Sequence, residues 1–269
     1  MDKAFDYFVR GWSFYLYFRR DANVEARRMY EEAIKLQPDV PRYHADLAYS
    51  LLHAWVFNWD DKVTMAQAAS AADRAMSLDA KDYYSNWVRG AVYLYEKDHA
   101  NAETCYDTAL RLAAVQAIPE DTSGLRVDWA EMLTLTGRAG RAVTEIKDVL
   151  NHSRVPERWF HWVHAWALYE DGRYQASIDA LAPIGTPRNA MRKNLIANHV
   201  ALGNVAEARK HAELFVQEEA RQGIAYAPKG QLVFPGLEKI EDRLPFHDPK
   251  RLQSWKDHLA PAFQHTIQP

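Results

Sequence analysis

The chain has 269 residues, 48% hydrophobic and 26% charged, which is typical of a globular protein with a sizeable buried core. Its formal net charge of −3 gives no reason to expect nucleic acid or acidic lipid as the main partner. No segment approaches the ~20 apolar residues of a membrane span, Met1 is not followed by a signal-peptide pattern, and the single Cys105 excludes an internal disulfide. We therefore expect a cytoplasmic protein with no membrane partner.

One spacing of small and bulky residues recurs along the chain and predicts pairs of packed helices. Small residues let two helix backbones approach closely, and bulky ones fill the space beside them. In chain order the copies contain Gly11, Phe14, Ala26, Tyr30 and Ala33; Ala48, Leu51, Ala68, Ala72 and Ala75; Gly90, Tyr93, Ala102, Tyr106 and Ala109; Ala130, Leu133, Ala142, Ile146 and Val149; Ala165, Leu168, Ser177 and Leu181; and Ala208, Ala212 and Phe215.

Glycines predict where some of these pairs turn. Gly137, Gly172 and Gly203 each fall between the two halves of a copy, where a helix end favours glycine. The first two copies are stretched. The first fits if the turn around residues 20–23 holds extra residues, and the second fits if its first helix and turn run longer, through residues 55–61.

These residues resemble the tetratricopeptide repeat superfamily, in which 34-residue helix–turn–helix units stack. The opening AFDYFVRGWSFYLYFRRDANVEARRMYEEAIKLQPDVPRYHADLAYSLLHAW and the closing LEKIEDRLPFHDPKRLQSWKDHLAPA are similar to the C-terminal repeat region of bacterial class III adenylate cyclases. The sequence holds no cyclase catalytic domain, so that activity is not implied. The resemblance implies an all-α, right-handed superhelical solenoid of about six antiparallel helix pairs with a C-terminal capping helix.

The expected domain organisation follows from the repeat. A repeat domain spans residues 1–222, with repeats at about 4–39, 40–80, 82–115, 122–154, 157–187 and 188–222. Residues 223–269 form an irregular connector, marked by Pro and Gly, and a last helix. Asp248 and Pro249 predict the start of that helix, which runs to about Leu259 with Trp255 on its apolar face and covers the last repeat.

The resemblance implies that the first helices of the pairs line a concave surface. Its positions carry aromatic side chains, which offer a large contact area with few rotors to freeze. We expect a partner-binding groove lined by Phe8, Trp12, Tyr15, Tyr49, His53, Tyr84, Trp87, Tyr95, Trp159, Trp162, Trp166 and Tyr169. A second interpretation stays open, because a coiled ribbon or its tail could fill the concavity and make this stripe part of the core.

Other chemistry is weakly represented. His161 and His164 could share a helix face, but no further metal ligand accompanies them, so packed histidines are favoured. Lys193, Asn194 and Asn198 resemble part of the carboxylate clamp of some related domains, but neighbouring repeats do not complete it. No nucleophile, base and orienting group form a motif. We expect no catalytic residues, no metal and no cofactor.

The sequence thus favours a non-enzymatic scaffold that binds a peptide or protein segment. Two alternatives remain: a sensor module that binds a small molecule in the aromatic pocket, and a self-association module. The chain starts almost directly on a predicted helix at Phe5. We expect either a fragment of a longer chain or an exposed apolar end that favours a homodimer.

Overall fold

The computed structural model describes residues 2–60, 62–116, 122–153, 156–221 and 243–263, with the backbone alone at 62, 63, 189 and 190. Within these ranges the chain forms thirteen α-helices and one short 3-10 helix, and no strand. The predicted all-α helical-repeat class is confirmed.

The helices have the following bounds: α1 Lys3–Tyr15, α2 Arg20–Leu36, α3 Pro41–Val56, α4 Lys62–Leu78, α5 Tyr83–Tyr95, α6 His99–Val115, α7 Thr122–Leu135, α8 Ala139–His152, α9 Arg158–Glu170, α10 Tyr174–Leu181, α11 Asn189–Ala201, α12 Val205–Arg221 and α13 Pro249–Phe263. The 3-10 helix Ala182–Ile184 follows α10 directly.

Two compact units divide the chain, residues 1–125 and 126–269. In the first unit, α1 packs on α2, α3 on α4 and α5 on α6, and the pairs meet through α2 with α3 and α4 with α5. In the second, α9 packs on α10 and α11 on α12, while Arg126 of α7 donates to Glu145 and Asp148 of α8. The predicted division at residue 222 stays a prediction.

The small residues of the repeat lie where helices touch. The backbone at Gly11 approaches Tyr30 so closely that an added Cβ would lie 2.7 Å from the Tyr30 Cε1 atom. Ala26, Ala33, Ala102, Ala109 and Ala142 are all 0% exposed. The predicted contact of a small with a bulky residue is present at Gly11 and Tyr30, and the predicted small residues are buried in both units.

Turns between paired helices use the left-handed backbone region. Gly137, Gly172 and Gly203 have φ values of 86°, 76° and 79°, as their places in the pattern predict. In the first unit, the corresponding residues Phe18, Asn58 and Lys97 have φ values of 52°, 56° and 66°. The left-handed conformation is thus imposed by the helix pair and does not depend on glycine.

The predictions for the two stretched copies have different outcomes. The chain turns between α1 and α2 at residues 16–19, and residues 20–23 already belong to α2, so the predicted position of that turn was wrong. The longer first helix of the second copy is confirmed, since α3 has 16 residues where α1 and α5 have 13.

The last helix begins as predicted. The Lys250 backbone N–H donates to the Asp248 carboxylate at 2.9 Å, and α13 opens with Pro249. It runs to Phe263, beyond the expected end at Leu259, and packs against α11 and α12. The predicted connector at 223–242 lies outside the described residues.

Candidate partner-binding surfaces

Five predicted groove residues of the first unit touch one another through their rings. Tyr15 of α1 stacks on His53 of α3 at 5.4 Å between centroids, and Tyr49 lies 4.6 Å from the same histidine. Trp87 of α5 lies 6.3 Å from Tyr49 and 5.3 Å from Tyr84. The first helices of all three pairs therefore contribute to one aromatic surface.

His53 lies at the centre of this cluster. Its Nδ1 atom is 2.8 Å from the Tyr15 hydroxyl, and Phe18 and Phe57 meet it edge-on. Burial among these rings lowers the pKa of His53 to about 3, because the surroundings disfavour the charged form. The imidazole is therefore neutral at physiological pH, and its Nδ1 can accept a hydrogen bond from Tyr15.

An ordered arginine borders the same surface. Arg42 Nε donates to one Asp46 oxygen at 2.7 Å, and the Tyr84 hydroxyl donates to the other at 2.6 Å. The guanidinium lies over the Tyr84 ring, 3.5 Å from its centroid. Burial raises the pKa of Asp46, and Arg42 and Tyr84 oppose that rise by stabilising the carboxylate. These contacts hold one cationic group in place beside the aromatic rings.

Exposure varies across the predicted first-unit residues. Phe8 is half-buried against Tyr43, whose ring centroid is 5.1 Å away, while Tyr84 and Tyr95 are buried at 8% exposure each. Trp12 is 48% exposed. Tyr84 and Tyr95 are therefore largely inaccessible to a partner. Trp12 is the most exposed aromatic side chain among the predicted groove residues of the first unit.

In the second unit, the C-terminal segment covers the predicted stripe of α9. Trp255 of α13 stacks on Trp166 at 6.0 Å and meets Tyr169 edge-on at 4.9 Å. Phe246, just before α13, meets Trp166 at 6.2 Å. Trp166 and Tyr169 are each only 5% exposed, so they are core here and not accessible groove residues.

Polar contacts fix that segment in place. The Tyr169 hydroxyl and His258 Nδ1 are 2.6 Å apart, and Arg251 donates to the Glu170 carboxylate at 2.8 Å. The His247 backbone N–H donates to the Leu135 carbonyl at the end of α7 at 3.0 Å. The segment thus binds several first helices of its own unit.

The remaining α9 aromatics contact neighbouring side chains. Trp162 Nε1 donates to Asn194 of α11 at 3.1 Å, and Trp159 Nε1 donates to Glu157 at 2.8 Å. Both tryptophans are half-buried. Asn198 donates to Ser177 at 2.8 Å, so the two asparagines next to Lys193 hold packed helices together.

Burial shifts the pKa values of the α9 histidines and of the single cysteine. Burial lowers the pKa of His164 to about 4. Burial also lowers the pKa of His161. Across the described ranges, no three His, Cys, Asp or Glu side chains are grouped to hold a metal ion. Burial also raises the pKa of Cys105, which opposes thiolate formation.

Sequence reasoning missed the residues that cover the second stripe and those that extend the first. Phe246 was not considered, and Trp255 was assigned to the last repeat alone. The rings of Phe18, Phe57 and Trp59 contact one another at 4.8 to 5.8 Å between centroids. The sequence pattern predicts Phe57 and Trp59 in a longer helix and turn and assigns no role to Phe18. The aromatic side chains of these residues were the feature of the sequence that could have indicated a place beside the stripes.

Comparison with known proteins supports the fold. No protein-family profile and no curated protein matches the chain. Among solved structures, the tetratricopeptide-containing protein pilF from Pseudomonas aeruginosa is similar over 82% of this chain and 97% of its own, with a TM-score of 0.52 and 14% identity. The Naa15/Naa10 complex bound to HypK-THB matches over 98% of this chain with a TM-score of 0.41 and 17% identity, and this chain spans only 39% of that one.

The similarity to pilF shows a tetratricopeptide-like fold and nothing about a ligand. The resemblance to adenylate cyclase repeat regions is not confirmed by these comparisons. Within the described ranges, every helix is too short or too polar to cross a bilayer.

Proposed function

We propose that the chain is a non-enzymatic scaffold that binds a peptide or an extended segment of a partner protein on the aromatic surface of its first unit. That surface, called here the first-unit surface, consists of Phe8, Trp12, Tyr15, Tyr49, His53, Tyr84 and Trp87. A tetratricopeptide-like fold and a set of ring contacts spanning three first helices support this proposal. The single cysteine supports a reducing compartment such as the cytoplasm.

One comparison within the chain carries the proposal. Helices α1 and α9 present the same stripe, Phe5, Phe8, Trp12 and Tyr15 in one and Trp159, Trp162, Trp166 and Tyr169 in the other. In α9, aromatic side chains of the C-terminal segment cover Trp166, which is 5% exposed, while Trp12 at the equivalent position is 48% exposed. The second unit therefore provides an example of the kind of segment that can bind to such a stripe.

The chemistry of that internal occupant indicates the class of partner. Phe246 and Trp255 fill the stripe with rings, while a backbone N–H and charged side chains fix the register. The first-unit surface offers rings with a fixed cation, Arg42, at its border. We therefore expect a segment with one or two aromatic anchors and a nearby acidic group.

The experiment is a selection of displayed peptides on the folded protein, followed by titration of the selected peptide monitored by tryptophan fluorescence. Trp87→Ala should weaken binding by about 2 kcal/mol or more, because a central aromatic anchor is lost. Trp159→Ala is the matched control, since Trp159 is also half-buried but belongs to the second unit.

Circular dichroism should show that both variants keep their helices. Equal affinity of the Trp87→Ala variant and the unsubstituted protein would remove the first-unit surface as the binding site. Equal weakening by both variants would also contradict the assignment to the first unit.

A further inference from the structure

An exposed apolar stripe runs along the outside of α1. Phe5, Val9, Trp12 and Leu16 are 52%, 40%, 48% and 53% exposed. Their spacing of four, three and four residues places them on one helical face. Leu16 follows the last residue of α1 but keeps helical geometry, since its N–H bonds to the Trp12 carbonyl at 3.1 Å. We call these four residues the α1 stripe.

The fold covers the corresponding positions in other first helices. Val9 corresponds to Val88 in α5 and Val163 in α9, which are 0% and 3% exposed. Leu16 corresponds to Tyr95, which is 8% exposed. A row of side chains that is core elsewhere in this repeat is thus turned outward in α1, and contiguous exposed apolar side chains of this kind mark interaction sites.

We propose that the α1 stripe binds the α1 stripe of a second copy of this chain, with the two helices antiparallel. The order of spacings is the same when read from either end, so a two-fold axis between Val9 and Trp12 superposes the stripe on itself. Phe5 then meets Leu16 of the second copy, and Val9 meets its Trp12. In a closed, isologous pair of this kind the two stripes face each other.

Charges at the two ends of α1 favour the antiparallel arrangement. Asp2 and Asp6 outnumber Lys3 at the start of the helix, and Arg19 and Arg20 outnumber Asp21 just beyond its end. In an antiparallel pair the acidic start of each helix lies beside the basic end of the other. A parallel pair would place like charges side by side, which disfavours it.

The interface is small, because one helix face buries less than the ~1,200 Å² of a standard complex. The dimer should therefore be weak and should dissociate on dilution. The stripe includes Trp12, so self-association and partner binding share one side chain. The proposal rests on Val9 and Leu16, which the proposed function does not use.

Sedimentation equilibrium from about 1 to 500 µM tests the proposal. The unsubstituted chain should be a reversible dimer, and Val9→Asp and Leu16→Asp should each raise the dissociation constant at least tenfold. Val24→Asp is the matched control, because Val24 is a valine of similar exposure, 46%, on α2 outside the stripe. A monomer at every concentration overturns the proposal, as does a dimer that neither substitution weakens.

Cysteine cross-linking tests the orientation in a Cys105→Ala background. In the antiparallel pair, Phe5→Cys and Leu16→Cys cross-link only when the two variants are mixed. In this arrangement the two copies of residue 5 lie about 16 Å apart along the helix axis, as do the two copies of residue 16, given a rise of ~1.5 Å per residue. Cross-linking of each variant with itself would overturn the antiparallel arrangement.

The selected peptide separates this proposal from the function above. If Val9→Asp abolishes the dimer and the peptide still binds, dimerisation and peptide binding are separable even though both surfaces contain Trp12. Loss of peptide affinity in Val9→Asp together with unchanged dimerisation would overturn the α1 interface and leave the first-unit surface intact.

Discussion

The indole of Trp255 stacks on the indole of Trp166, with 6.0 Å between ring centroids and 24° between planes. Both side chains are buried, at 3% and 5% exposure, and Tyr169 closes the edge of the pair. The last helix is therefore part of the hydrophobic core of the second unit.

Trp255→Ala should lower the free energy of unfolding by about 3 kcal/mol, because it leaves a cavity beside Trp166 and Tyr169. Trp12→Ala, the control, should change it by less than about 1 kcal/mol, since Trp12 is 48% exposed. Urea denaturation followed by circular dichroism measures both. A small loss for Trp255→Ala would mean that the segment covers α9 without stabilising it.

Gly11→Ala should destabilise the protein by about 1–3 kcal/mol. The new methyl group would lie 2.7 Å and 2.8 Å from two ring atoms of Tyr30, which is itself fully buried and cannot move aside freely. Gly90→Ala is the matched case, with its closest contact at 3.2 Å, so the gain in helix propensity offsets more of the strain. Thermal melting should rank Gly11→Ala well below Gly90→Ala. The reverse order would show that α1 and α2 are less tightly packed.

Lys97→Gly should stabilise the protein by about 0.5–1 kcal/mol. Lys97 has a φ of 66°, which costs a side-chain-bearing residue free energy that glycine does not pay. Gly172→Ala makes the opposite change in the equivalent turn, where φ is 76°, and should destabilise by a similar amount. Lys97→Ala separates the backbone effect from any contact of the lysine side chain. No gain from glycine would mean that this contact outweighs the backbone strain.

Acidification should weaken the first unit through His53. The folded pKa of about 3 lies below the ordinary value of 6.5, so the unfolded chain binds the proton more tightly. The stabilisation is fully present above pH 6.5 and is lost as pH falls from there toward 3. Between pH 6.5 and 4.5 the loss from this residue should be about 1–2 kcal/mol, allowing for its partial exposure.

His53→Gln removes the titrating group and keeps a polar side chain beside Tyr15. Urea titrations at several pH values should show a shallower decline in stability for this variant than for the unsubstituted protein. Other histidines with lowered pKa values, such as His164, leave part of the decline in both. Parallel pH profiles would show that His53 does not carry the effect.

The sequence predicted those parts of the fold that depend on local periodicity. Gly11, Ala102 and Ala142 were placed at helix contacts because a close approach of two backbones allows only small residues there. The turn before α2 was misplaced because residues 20–23 have no distinctive turn chemistry, and left-handed Phe18 precedes them where glycine would have been the signal. Local pattern cannot reveal a conformation that the surrounding helix pair imposes.

The candidate site was harder to predict for a different reason. The aromatic stripes of α1 and α9 have the same spacing, and in the part of the chain that the structure describes only the α9 stripe is covered. Phe246 and Trp255, which cover it, lie far downstream in sequence, and no periodicity links them to Trp166. The sequence could therefore identify both stripes but could not distinguish surface from core.

The contrast between Trp12 and Trp166 also bears on how related chains should diverge. Substitutions at Trp166 must be matched within the same polypeptide, at Phe246 or Trp255, so these positions should covary in an alignment of homologues. Among the described residues of the first unit, no aromatic side chain covers Trp12 in this way, so its variation should instead follow the sequence of the partner molecule that it contacts. Two copies of one motif are thus expected to evolve under separate constraints, one internal and one external.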